Sequence, residues 1–154
     1  MFAPGPKRVL LAALACVAVV YGMAYADLVL RARSAYLEGE KFLEWDRKPE
    51  LKKAALDGEL AKSEQRLRSL RAAGKLTGPE LEQRLELARF DRDERMQESS
   101  LKYAYVWFQT AVELFSPPES RWVVLSRGKM AEAKALWKKE LDAKKIPYED
   151  YMLE

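Results

Sequence analysis

Asp91 with Asp93, and Glu149 with Asp150, are the carboxylate pairs that come nearest to acid–base work or to holding Ca²⁺. Neither pair has the ligand spacing of an EF-hand loop. The chain contains no histidine, which removes the commonest general base and the commonest metal ligand. It also lacks a phosphate-binding loop, a nucleophile elbow and a metal-binding helix signature. These absences predict a protein that is not an enzyme. No catalytic residue, cofactor, metal or small-molecule substrate is expected.

Two other groups suggest contact chemistry. Tyr103, Tyr105, Trp107, Phe108 and Phe115 crowd one stretch of chain, with Trp122 just beyond it. On a helix Tyr105 and Trp107 stand about 200° apart, so they cannot share a face. The set predicts a helix wrapped on more than one side, or an aromatic surface for a partner helix. Arg66, Arg68, Arg71 and Lys75 form a basic group that suits a solvated helix end or an acidic partner. The tail from Ile146 to Glu154 carries Tyr148 and Tyr151 and is apolar for a terminus. It either packs back on the domain or serves as a docking peptide.

The elements that position these groups are helices. Charged residues make up 33% of the 154, glycine and proline number 7 each, and Ile and Thr are scarce, as in long-helix chains. Leu28, Ala32, Ala35, Tyr36, Gly39, Phe42 and Leu43 form a helical stripe, predicting a helix over about 28–47. Pro49 then forces a break near Lys48 and opens the next helix, about 50–73. Its residues Leu56, Leu60, Ser63, Leu67, Leu70 and Gly74 alternate spacings of four and three, the mark of a helix-pairing seam. Gly74 suits a left-handed helix end and Thr77 an N-cap.

A third helix is predicted over about 79–115, with Leu81, Leu85 and Ala88 opening its stripe and Leu101, Ala104, Phe108, Ala111 and Phe115 closing it. Folding the chain near residue 76 sets Leu70 against Leu81 and Leu56 against Met96, a long antiparallel hairpin. The mixed charges of Asp91 to Arg95 read as a solvated stretch. Ser116-Pro117-Pro118-Glu119 is a loop, Ser120 suits an N-cap, and a last helix is expected over about 129–144 with Met130, Ala133, Trp137 and Leu141 on one face. The stretch L-R-A-A-G-K-L-T-G-P-E-L-E-Q-R-L, from Leu70 to Leu85, resembles the short helical hairpins called SHOCT domains. That resemblance implies an oligomerisation or interaction element.

The first 26 residues differ from the rest. Lys7 and Arg8 precede an uncharged run from Val9 to Ala26, and Asp27 is the first acidic residue. One reading is a cleaved signal peptide with Ala24-Tyr25-Ala26 as the cleavage site and Gly22 breaking the helix ahead of it. The other is an uncleaved anchor whose 9–26 segment, about 27 Å as a helix, just spans the hydrocarbon core, with Tyr21 and Tyr25 at the far interface. Lipidation of Cys16, the one cysteine, fits poorly because the apolar run continues past it. Removing Lys7 and Arg8 from the formal charge of +3 leaves +1 for the remainder. That balance argues against nucleic acid.

The sequence therefore predicts an all-α protein with a signal or transmembrane helix at 1–26 and an extracytoplasmic helical domain at 27–154. Its expected function is that of a structural or adaptor subunit of a membrane-associated assembly, on the periplasmic side of a bacterial cytoplasmic membrane. Its partners would be other membrane-complex proteins or further copies of itself. The alternative is a soluble periplasmic binding or chaperone-like module, although no 34-residue TPR-type repeat recurs. An organellar inner-membrane subunit is a third reading.

Overall fold

The computed structural model describes the backbone of residues 6–153; Met1 to Gly5, Glu154 and the side chains of Pro6, Arg8 and Val9, which belong to the expected N-terminal membrane-directed segment, lie outside the described residues. Five α-helices and a terminal 3-10 turn account for almost all of the described chain, with no strand among them.

Helix α1, Pro6–Arg47, is a single helix of 42 residues. Its first half is exposed on all sides, and an apolar window there has a mean hydropathy of 2.0 with none of it buried. This segment has the length and composition of a signal or membrane-spanning helix. Gly22 does not break it, contrary to expectation. A lone glycine costs about 1 kcal/mol against alanine, and its apolar neighbours on either side keep the helical hydrogen bonds intact.

The second half of α1 joins the core. Ala32, Ala35, Gly39 and Leu43 are buried at spacings of three and four. Helix α4, Ser100–Leu114, presents Leu101, Ala104, Tyr105, Phe108 and Ala111 to it. Small residues on α1 let the two helices approach closely. A Cβ on Gly39 would lie 2.5 Å from Cε1 of Phe108. Helix α5, Arg121–Ala143, closes the body with Val123, Ser126, Ala133 and Trp137 buried. Met130, Leu136 and Leu141 pack partly buried beside them.

Ring contacts give the directions. Tyr103 meets Phe42 at 5.3 Å and Phe108 meets Tyr36 at 5.8 Å, so α4 descends along α1 toward its exposed apolar half. Trp122 lies 5.5 Å from Tyr36, and Glu132 pairs with Arg47 at 3.6 Å. Helix α5 therefore climbs back in the direction of α1.

Helix α2, Pro49–Ala72, follows α1 after a break at Lys48, whose φ of −135° and ψ of 80° are not helical. Helix α3, Gly78–Gln97, packs on α2. Their connection is built as the residue types require. Gly74 has a φ of 71°, the left-handed region open to glycine. Thr77 and Glu80 form a capping box. Cross-helix pairs run from Arg89 to Glu64 at 3.1 Å, Arg92 Nε to Asp57 at 2.8 Å and Arg95 to Glu59 at 2.7 Å. The Asp91–Arg95 stretch is thus laced to α2 by ion pairs as well as exposed to solvent.

Two helix boundaries correct the sequence reading. The expected 79–115 helix is two helices, because Glu98 turns extended (ψ 143°) and the Ser99 side chain caps α4 by accepting from the Lys102 N–H. The second pairing partner of α2 therefore stops at Gln97, and the aromatic half belongs to the three-helix body. The last helix starts at Arg121 rather than 129, directly after the Ser120 cap. Val123 and Ser126, both fully buried, hold that first stretch to the core.

The capping box gives a pH expectation. Hydrogen bonds from the Thr77 backbone and hydroxyl hold the Glu80 carboxyl below its ordinary 4.5. A carboxyl lowered in the fold stabilises above its unfolded value, and that contribution is lost as pH falls from 4.5 through the lowered one. Amide exchange in the first turn of α3 should accelerate across that window. Thr77→Ala should cost about 1 kcal/mol and weaken the pH response only in part, because the Thr77 backbone N–H still donates to Glu80; Glu80→Gln should abolish it. Unchanged pH dependence in Glu80→Gln refutes the assignment.

Candidate functional site

A cleft of about 600 Å³ opens where α1 and α4 meet the first turns of α2 and the end of α3. Phe42, Trp45, Tyr103 and Trp107 supply its aromatic lining. Phe42 and Tyr103 stack at 24°, and Trp45 meets Phe42 edge-on at 5.0 Å. The Lys41 ammonium rests 5.0 Å from the Phe42 ring and 5.1 Å from the Trp45 ring, within cation–π range. The Tyr103 phenol is held above its ordinary value by its hydrogen bond to the Glu98 carboxylate and then by burial. Glu38, Asp91 and Arg95 complete a charged rim.

Lys52 anchors the back of this cleft and is only 7% exposed. It donates to the Glu98 carbonyl at 2.6 Å and the Met96 carbonyl at 3.2 Å, satisfying acceptors that the end of α3 leaves over. Burial pulls its pKa down, with the Glu98 charge opposing. Lys52→Met strands those carbonyls and should cost about 1–3 kcal/mol. Hydrogen exchange should rise first around residues 94–102. An even rise over all helices would show that Lys52 is not a local clasp.

The residues singled out from sequence do not form one surface. Tyr103 and Trp107 line the cleft, and Trp107 also borders a second, smaller cleft that it shares with Phe115. Tyr105 and Phe108 lie in the core, Tyr105 with its ring 5.9 Å from Trp137. Phe115 and Trp122 sit at the other end of the body, near Leu30 and Tyr36 respectively. The tail folds back: Leu153 is buried in the core cluster, Tyr148 packs against it, and Asp150 pairs with Lys138, while Tyr151 is 69% exposed. Arg66, Arg68, Arg71 and Lys75 are all exposed on the arm near the α2–α3 connection. Arg71 also donates to the Leu76 carbonyl at 3.0 Å.

No known protein family, curated protein or solved structure matches the chain. The chemistry of the site therefore rests on its own residues. Among the described residues no group of three or more potential metal ligands comes together. Aromatic faces ringed by charge can hold an apolar or cationic group of a ligand or partner. Sequence reasoning passed over Lys41, whose rings lie one and four positions ahead on its own helix, and Lys52, whose role depends on residues brought to it by folding. Lys52 meets carbonyls 44 and 46 positions away, and no local signal announces such a clasp.

Proposed function

We propose that the protein is a structural or adaptor subunit of a membrane-associated assembly, held by α1 and acting through helix packing on the extracytoplasmic side. It carries out no catalysis in this reading. The observation that carries the proposal is the unbroken α1. One helix runs from an apolar half that touches nothing in the domain into a half that forms the domain's core. A bare apolar helix of this kind needs lipid or protein around it. Rigid attachment to a folded body suits an anchor.

The α2–α3 arm supports the adaptor role. Its ion pairs join later positions on α3 to earlier positions on α2, apart from one crossed pair, as in an antiparallel hairpin. Leu87 and Phe90 remain 59% and 61% exposed on it, apolar surface for another helix. The aromatic cleft favours a second reading, a periplasmic module that captures extended or helical clients there. In that reading α1 is cleaved at Ala26–Asp27.

A native pull-down of tagged protein from the membrane fraction tests both, with mass spectrometry scoring peptides before Asp27. Stoichiometric companions and an intact 1–26 segment are expected. A chain starting at Asp27 without stable companions would overturn the anchored adaptor in favour of the client-binding module.

A further inference from the structure

We propose that the corner formed by the end of α4, the 115–120 loop and the start of α5 lies in the headgroup layer of the membrane that α1 enters, where it binds anionic lipid. This rests on the anchored reading above. The corner's height follows from α1. At 1.5 Å per residue, Leu30 stands about 6 Å beyond Ala26 and Arg33 about 10 Å. The headgroup layer on each side of the hydrocarbon is about 5–7 Å deep. Because α4 descends along α1, its last residues reach this level. Phe115 shares a cleft with Leu30 and Arg31.

The surface composition matches that position. Leu30 is 59% and Leu114 67% exposed, on the end of the body nearest the apolar half of α1. Trp122 is half-buried with an arginine against its ring on each count: Arg33 at 5.8 Å and Arg121 at 5.7 Å. Trp122, packed on Tyr36, stands about 10–15 Å beyond Ala26, just outside the headgroups, and the long side chains of its two arginines, which lean toward the membrane-facing N-termini of their helices, reach back to lipid phosphate. Of the acidic groups nearby, Asp27 and Glu119 are paired with arginines, and Glu113, bonded to a neutral amide, keeps its charge. Asp27 pairs with Arg31 at 2.7 Å, Glu119 with Arg127 at 2.7 Å, and Glu113 accepts from Gln109 at 2.9 Å. Arg33 and Arg121 are exposed and carry no carboxylate partner among the described residues. Each arginine at such a surface is worth about a fivefold preference for an anionic bilayer.

The single native cysteine makes the test direct. Cys16 lies in the apolar half of α1 and is exposed. Three full-length, single-cysteine chains are needed: the native one, C16S/L114C, and C16S/A143C. Ala143 lies about 32 Å along α5 from Trp122. Each carries an environment-sensitive fluorophore in phosphatidylcholine vesicles with or without phosphatidylglycerol. The Cys16 label should be quenched by spin labels deep in the acyl chains. The Leu114 label should shift to the blue and be quenched by headgroup-level spin labels, and the Ala143 label should behave as in water.

If Cys16 is deeply quenched while the Leu114 label behaves like that at Ala143, the anchor stands and the corner proposal fails. If Cys16 is also unquenched, the anchored reading fails and takes the proposal with it. R33Q/R121Q should weaken quenching at Leu114 several-fold in the phosphatidylglycerol vesicles only. Equal quenching in both lipids, with or without the arginines, would overturn the anionic-lipid assignment.

Discussion

Phe108→Ala should lower the unfolding free energy by about 3–5 kcal/mol, a large share of the 5–15 kcal/mol typical of a domain. Phe108 is fully buried and fills the space against Gly39, with Cε1, Cζ and Cδ1 at 2.5, 2.7 and 2.8 Å from where a Cβ would stand. Gly39→Ala gains about 1 kcal/mol in helix propensity but must push aside a ring that has no room. Overpacking of that kind costs about 1–3 kcal/mol, so the net effect is destabilising. In the Phe108→Ala background the same change points a methyl into empty space and should stabilise. Urea denaturation of the four proteins in this cycle reads the coupling. An equal cost for Gly39→Ala in both backgrounds would mean that the ring does not set the α1–α4 distance.

Val17→Arg should move the protein from the carbonate-resistant membrane fraction toward the soluble one. An arginine near the middle of a spanning helix costs about 2.5–3.5 kcal/mol of insertion. Val17 is 66% exposed and makes no contact with the domain. The denaturation midpoint of the soluble body should therefore not change. The pair of measurements separates anchoring from folding. Membrane partition that ignores the substitution would sink the anchor, and a lowered midpoint would mean that the apolar half packs on the body.

Local chemistry was legible in the sequence wherever a residue type dictates its own backbone. Pro49 marks the break at Lys48, Gly74 takes a positive φ, and Thr77 and Ser120 cap helices. The all-α class and the apolar N-terminal helix were also readable from composition and periodicity. What escaped is what other helices decide. The stripe from Leu81 to Phe115 keeps a helical rhythm across the Glu98–Ser99 break, so periodicity alone reads straight through it. The break exists because Ser99 caps α4 and also hydrogen-bonds Glu140 of α5, while Lys52 takes up the freed carbonyls. The aromatic set cannot share one helical face, but the sequence leaves open which neighbours each ring meets. Folding sends Tyr103, Tyr105 and Phe115 against three different surroundings, which the contradiction in helical angle between Tyr105 and Trp107 already implied.

The continuity of α1 has a mechanical meaning. A helix turns about 100° and rises 1.5 Å with each residue, and no loop between Ala26 and Leu43 interrupts that phase. The compass bearing of the body, and of the arm it carries, is thereby geared to whichever face of the apolar half meets a neighbour. One residue added at Asp27 would swing the arm by more than a quarter circle while lifting it hardly at all. A flexible tether of equal length would transmit none of that rotation. On the anchored reading proposed above, the protein would act as an indexed post, with its heading set inside the apolar segment and displayed at the arm.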